Sequence, residues 1–182
     1  MLENLTLLIP AKKEKESLII FLNELKNYKC KKLIVLAEDD IETLNSIKEF
    51  IENPLSDTEI FFQKQKGYGA ALVEGSYQIR TKYLCIINAD GSMNPKYLKI
   101  MLDEIQRENL DFVFCSRYEK DGGSEDDDII TLIGNKIFTF MGNFMFSLNI
   151  SDILYTYILG KTDSFINLNL KSNDFRYCIE MP

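Results

Sequence analysis

The stretch Asn88-Ala89-Asp90-Gly91-Ser92-Met93-Asn94-Pro95 gathers an amide, a carboxylate and a hydroxyl directly after the apolar run Tyr83-Leu84-Cys85-Ile86-Ile87. Oxygen donors of this kind suit a hard divalent cation, which is commonly shared with the phosphates of a substrate. The apolar run reads as a buried strand, because strands covered on both faces lose their polar alternation. Ligands in layered α/β folds collect outside the carboxyl ends of such strands. The same residues also read as a β-turn with an Asx cap before a helix that starts near Pro95. Histidine is absent, which excludes His-based triads and most zinc sites. Any metal must be held by carboxylates, amides, hydroxyls or phosphate, which points to Mg2+ or Mn2+.

Elements able to position this turn alternate along the chain. Leu5-Thr6-Leu7-Leu8-Ile9 reads as a first strand stopped by Pro10, and residues 16–26 as a helix with Leu18, Phe21, Leu22 and Leu25 on one face. Leu33-Ile34-Val35-Leu36 is a second strand, followed by Glu38-Asp39-Asp40. Residues 43–51 read as one helix with Leu44, Ile47 and Ile51 facing in. Glu59-Ile60-Phe61-Phe62 is a third strand, and Gly67-Tyr68-Gly69 turns into a helix over residues 70–78. After the Tyr83 to Ile87 strand come a helix over 96–107 and the strand Phe112-Val113-Phe114-Cys115. Repeated β-α alternation predicts a single α/β domain with a mainly parallel central sheet and helices on both faces.

The later part changes character. Residues 120–128 carry two glycines and five acidic residues without periodicity, and read as a mobile surface loop. Residues 129–148 are apolar and rich in Phe and Met. They read as one or two helices with a broad hydrophobic face, taken as core in preference to a lipid contact. Phe175-Arg176-Tyr177-Cys178-Ile179-Glu180-Met181-Pro182 reads as strand, and because no polar tail follows, the chain is expected to stop short of its natural end.

Four polar loops follow strand ends: residues 10–14, 38–40, 67–69 and 88–92. A parallel sheet brings such loops to one edge, so together they outweigh any one motif. In this arrangement the sequence resembles family 2 glycosyltransferases of the GT-A (Rossmann-like) fold, most closely the polyprenyl-phosphate (dolichyl-phosphate) sugar transferase branch. Ile9-Pro10-Ala11-Lys12-Lys13-Glu14 resembles I-P-A-Y-N-E, Gly67-Tyr68-Gly69-Ala70-Ala71-Leu72 resembles G-x-G-A-A-L, and Asn88 to Pro95 resembles D-A-D-G-x-x-x-P. Ser116-Arg117-Tyr118 with Gly122-Gly123 resembles S-R-Y with a downstream G-G, and Ser151-Asp152 resembles the acceptor-side aspartate signature.

The resemblance implies an inverting, metal-dependent transferase that moves a sugar from a nucleoside-diphosphate sugar to an acceptor, either a lipid phosphate or a saccharide. Pro10, Ala11 and Glu14 would line the nucleoside pocket, with one acid of Glu38, Asp39 and Asp40 at the base or ribose. Gly67 and Gly69 would let the backbone pass close to the nucleotide. Asn88, Ala89 and Asp90 would face the nucleotide sugar. Asp90, with Asn88 and Ser92, would hold the metal. Arg117 would neutralise phosphate, and Asp152 would be the acceptor-side base. Plainer readings stand beside these: Glu14 as an acid at a helix N-terminus, the acidic trio as a solvated turn, the glycines as a turn, Arg117 as a surface arginine and Asp152 as a helix cap. Two departures stand out. Asn88 replaces the first aspartate of D-x-D, and no arginine closely follows Asp152. The implied division is a nucleotide-sugar part over residues 1–117 and an acceptor part over 118–182, within one domain 1–182.

Composition narrows the alternatives. The 182 residues are 46% hydrophobic and 27% charged, with a net charge of −7, which argues against nucleic acid as partner. The four cysteines form no CxxC pair and no secretory signal opens the chain, so the setting is expected to be cytoplasmic, at most at the inner face of a membrane. The exposed alternative for residues 129–148 implies peripheral membrane contact or self-association. Two other functions compete: a nucleotidyltransferase, disfavoured because residues 10–14 lack glycine and arginine, and a degenerate nucleotide-sugar-binding module without turnover.

Overall fold

The computed structural model describes residues 2–119 and 129–182. The loop expected at 120–128, with Gly122 and Gly123, lies outside the described residues. In chain order the elements are β1 (Leu5–Pro10), α1 (Ser17–Glu24), β2 (Lys31–Ala37), α2 (Ile41–Ser46), α3 (Lys48–Glu52), β3 (Thr58–Gln63) and α4 (Tyr68–Ser76). Then follow β4 (Tyr83–Ile86), α5 (Tyr97–Arg107), β5 (Phe112–Phe114), α6 (Ile129–Phe146), β6 (Ile158–Lys161), α7 (Thr162–Asn167) and α8 (Tyr177–Glu180).

Six strands form one sheet in the order β3-β2-β1-β4-β6-β5. The pairs β1–β2, β2–β3 and β1–β4 are parallel, as the apolar runs predicted. The chain winds outward from β1 through β2 to β3, then returns to place β4 on the other side of β1. That reversal opens a crevice at the carboxyl ends of β1 and β4, the usual ligand position in such sheets. One core cluster packs α1 and α5 against one face through Leu18, Phe21, Leu98 and Leu102. A second packs α4, α7 and α8 against the other through Ala71, Leu72, Phe165 and Tyr177.

Several elements differ from the sequence expectation. The helix expected over 43–51 is two short helices, broken at Ile47, whose backbone leaves the helical region (φ −107°, ψ 9°) while its side chain is fully buried. β5 pairs antiparallel with β6, and β6 is antiparallel to β4. β6 itself went unpredicted. Its Gly160 interrupts the apolar run, and a Cβ there would sit 2.5 Å from the Phe112 ring and 2.8 Å from the Phe165 ring. The expected terminal strand is a turn followed by α8. Tyr177 and Met181 are both buried while Ile179 between them is exposed, so a helical period wins over the apparent alternation.

α6 corrects the core reading of residues 129–148. It is one helix whose Ile133, Ile137, Phe140 and Phe144 are exposed. Its buried stripe is Asn135, Thr139 and Gly142, at helical spacing. Asn135 Nδ2 donates to the Tyr118 hydroxyl at 2.8 Å, and the Thr139 hydroxyl accepts from Ile153 N–H at 3.2 Å. Gly142 leaves room for Ile153, whose Cδ1 would lie 2.4 Å from an added Cβ. Polar bonds and one small residue therefore fix the helix rotation, and the apolar face points outward. Among the described residues no helix is long and apolar enough to cross a membrane.

Candidate active site

The crevice between the ends of β1 and β4 is a cleft of about 520 Å³, within the usual size of about 300–1,000 Å³ for small-molecule sites. Pro10, Ala11, Lys12 and Glu14 line it from the loop after β1, and Asp39 from the loop after β2. Gln63, Lys66, Gly67 and Tyr68 come from β3 and the start of α4, and Asn88, Ala89 and Asp90 from the end of β4. Asp174 and Phe175 close it from the far end of the chain.

Each loop is set by local bonds. Ala11 N–H donates to Val35 O at 3.0 Å. Lys13 sits at φ 59° and donates its N–H to Asp40 Oδ2 at 2.7 Å. Asp40 also caps α2 through Thr43 N–H. Burial alone would raise the Asp40 carboxyl, but the N–H of Lys13 and the Thr43 bonds prevail and hold it below its ordinary value. Glu14 accepts from the Ser17 hydroxyl. The acidic trio therefore separates: Asp39 faces the cleft, Asp40 ties two loops together, and Glu38 is exposed outside the lining.

The β4 turn is built around Asp90, whose Oδ1 accepts from Ser92 N–H at 2.9 Å and from the Ser92 hydroxyl at 2.7 Å. Ser92 thus orients the carboxylate and is not itself in the cleft lining. Asn88 Oδ1 accepts from the Tyr68 hydroxyl at 3.1 Å, and Tyr68 also bonds the Thr156 hydroxyl at 2.7 Å. Burial raises the Tyr68 phenol well above its ordinary value, so it stays a neutral donor to Asn88.

Gly67 lines the cleft, and Gly69 is buried beneath it. Their close backbone approach is to the chain itself: added Cβ atoms would lie 2.0 Å from Asn173 O and 2.1 Å from Ser172 O, respectively.

Arg117 and Asp152 meet each other beside the cleft and are not in its lining. The guanidinium donates through Nε to Asp152 Oδ2 at 2.8 Å and through Nη2 to Oδ1 at 3.0 Å. It is stacked over Tyr118 and Tyr155, about 5 Å from each ring. Both carboxylate oxygens accept from Arg117 and the side chain is only 1% exposed, so a substrate proton reaches Asp152 only after this corner opens. Tyr155 and Tyr157 tie this side to the β4 turn, donating their hydroxyls to Ser92 O at 3.4 Å and Asn94 O at 2.9 Å. Burial raises the Tyr155 phenol to about 12, so it too remains a donor.

The lining carries four acids (Glu14, Asp39, Asp90, Asp174) and two lysines (Lys12, Lys66), a balance of −2. A diphosphate entering it meets net repulsion unless a cation accompanies it. Asn88 and Asp90 offer two hard oxygen donors, and among the described residues no group of three or more His, Cys, Asp or Glu side chains could hold a metal. That donor set fits a Mg2+-like ion, which is typically bound through one or two carboxylates plus substrate phosphates and water. Sequence reasoning missed Tyr68, Lys66, Asp174 and Phe175. Tyr68 lay inside the quoted glycine motif, whereas nothing local marks Asp174 or Phe175.

Residues 6–168 match the profile of Glycosyl transferase family 2. The chain belongs to that family, which leaves the nucleotidyltransferase reading without support. Among solved structures it is similar to glucosyl-3-phosphoglycerate synthase from Mycobacterium tuberculosis in complex with Mn2+, uridine diphosphate and phosphoglyceric acid. The TM-score is 0.69 at 10% identity, over 96% of this chain and 61% of that one. It is similar to S. aureus TarS in complex with UDP-GlcNAc (TM-score 0.65, 12% identity, 97% of this chain and 52% of that one). Mannosyltransferase PcManGT from Pyrobaculum calidifontis, in complex with GDP-Man and Mn2+, gives a TM-score of 0.55 at 16% identity over 65% of this chain and 36% of that one. These likenesses establish the GT-A type of fold, and the chain spans less than two thirds of each of these proteins.

Proposed function

We propose that the chain binds a nucleoside-diphosphate sugar in the β1/β4 cleft and transfers the sugar, with inversion, to an acceptor approaching from the Arg117–Asp152 side. The observation that carries this reading is the cleft itself: the predicted Pro10, Ala11, Glu14, Asp39, Gly67, Asn88, Ala89 and Asp90 converge on it. The nucleotide sugars and Mn2+ in the structures of similar fold are consistent with this ligand class. Asp90 and Asn88 would hold a divalent cation, which supplies charge neutralisation on the diphosphate as it leaves. Lys12 and Lys66 add positive charge at the lining. The acceptor oxygen attacks the anomeric carbon from the face opposite the diphosphate, the C–O bond to the diphosphate breaks, and the diphosphate departs with the electron pair. Arg117 and Asp152 belong to the acceptor side.

For the acceptor we favour a polyprenyl phosphate over a saccharide hydroxyl. A phosphate arrives ionised and needs no strong base, which accords with an Asp152 whose oxygens are both held by Arg117. The exposed apolar face of α6 stands on the helix that buttresses Tyr118 and Ile153, next to that pair. This gives a lipid chain, or a second copy of the protein, an apolar surface to cover. The α6 face would suit a membrane surface, and the four free cysteines are consistent with its cytoplasmic side.

Calorimetry with UDP and GDP, with and without Mn2+, tests the donor site. Binding should require Mn2+ and disappear in Asp90→Ala, and unchanged affinity in that variant overturns the assignment. Transfer from labelled nucleotide sugars to a polyprenyl phosphate or to a saccharide decides the acceptor. Donor binding without transfer to either supports the non-turnover module instead, a reading favoured by the uncharged Asn88 at the metal turn.

A further inference from the structure

Residues 171–175 form a strap across the start of α4, and three sets of bonds hold it there. The Glu180 carboxylate accepts from the N–H of Lys171 at 2.9 Å and of Ser172 at 2.7 Å. Asn173 O accepts from Ala70 N–H at 3.0 Å, and Asn173 Nδ2 donates to Gln65 Oε1 at 2.7 Å. Gly67 and Gly69 leave the strap the space it needs. A first-turn amide of α4, which could have met a ligand phosphate, is therefore used on the protein's own carbonyl.

The strap ends by delivering Phe175 to the cleft. The Phe175 ring stacks on Tyr68 with centroids 5.1 Å apart and planes 17° apart. Tyr68 is itself held by Thr156 and Asn88. Phe175 nevertheless remains 72% exposed, although it lines the cleft. One face of the ring is packed and the rest is open. The open part of the ring is available to whatever occupies the cleft it lines, and every nucleobase has a flat face that stacks on such a ring. Pro10, Ala11, Ala37 and Ala71 add small apolar lining to the same cleft, as a flat heterocycle requires.

We propose that Phe175 is the stacking surface for the base of the bound nucleotide, and that Glu180 is the positioning residue that pins the strap carrying it. The proposal rests on the cleft being a nucleoside-diphosphate site. It assigns the base end to the strap and the diphosphate end to the β4 turn.

The test is calorimetry with Mn2+ and three probes: UDP, GDP and inorganic pyrophosphate, which has no base. Phe175→Ala should weaken whichever nucleotides the native chain binds by about tenfold or more, while leaving pyrophosphate within about twofold. Phe175→Tyr should retain affinity, and Phe175→Leu should not. Glu180→Ala, checked for a native-like melting transition, should show the same split. It should add little when combined with Phe175→Ala, because both act through one ring. Unchanged nucleotide affinity in Phe175→Ala, or an equal loss for pyrophosphate, overturns the proposal. A native chain that binds pyrophosphate and no nucleotide overturns the donor-site reading beneath it.

Discussion

Removing the Asp152 carboxylate should be among the most damaging single changes outside the apolar core. Its side chain is 1% exposed, and Arg117 beside it is 18% exposed. Asp152→Ala strips the guanidinium of two charge-assisted bonds and the Arg117 N–H of a third partner at 3.3 Å. The guanidinium keeps its place over Tyr118 and Tyr155. Breaking one side of a buried pair costs about 3–5 kcal/mol. The residual exposure of Arg117 lets it recover some hydration, so the expected loss is about 2–4 kcal/mol. At about 2–4 °C per kcal/mol for a chain of this size, the melting temperature should fall by about 5–15 °C. Urea denaturation of Asp152→Ala, Arg117→Met and the double variant closes a thermodynamic cycle. The double variant should be less destabilised than the sum of the singles by about 2 kcal/mol. A single-variant loss under about 0.5 kcal/mol, or strict additivity, refutes a buried, mutually dependent pair.

Three further outcomes follow from the donor side. Asn88→Asp keeps an acceptor for the Tyr68 hydroxyl and adds a charge near Asp90. Mn2+ affinity in the presence of a nucleoside diphosphate should therefore rise by about 1 kcal/mol or more, and equal or poorer affinity in calorimetry places Asn88 outside the ion's ligands. Gly69→Ala drives a Cβ to 2.1 Å from Ser172 O and 2.8 Å from Asp174 O. Both are backbone atoms, so thermal unfolding should register a loss of about 1–3 kcal/mol, and no loss would mean that the strap is free to lift. Burial alone would raise the Glu180 carboxyl, but the N–H groups of Lys171 and Ser172 prevail and hold it below its ordinary 4.5. Its contribution is therefore complete above pH 4.5 and disappears as pH falls through the depressed folded value, so the protection of the Lys171 and Ser172 amides, taken as exchange relative to the intrinsic rate at each pH, should fall only in that acidic window.

What the sequence made legible, and what it hid, divides along physical lines. β1, β2 and β4 declared themselves because strands buried on both faces are unbroken apolar runs, and the loops at their ends inherit fixed positions from the sheet. Asp90 and Pro10 could therefore be assigned to one edge from spacing alone. β6 stayed hidden because Gly160, required by two phenyl rings, breaks its run. α6 was misread for the opposite reason. Its apolar residues were assumed to seek the interior, but the interior side is claimed by Asn135 and Thr139, each with a specific partner. Phe175 carried no local signal. Its place in the cleft depends on Glu180 and on two glycines a hundred residues earlier.

The direction of β6 has a further consequence. Because β6 runs against β4 and β5 runs against β6, the exit of β5 and the approach to β6 lie at the same edge as the ends of β1 and β4. The connection that carries α6 thus leaves and rejoins the sheet at neighbouring points on the rim of the cleft. The ion pair closes the neck of that connection like a clasp. The cost of closing such a loop grows only slowly with its length, so the connection can be lengthened, shortened or exchanged while the sheet and the donor cleft keep their form. On the proposed function, acceptor choice would reside in this attachment, with Arg117 and Asp152 as its fastening.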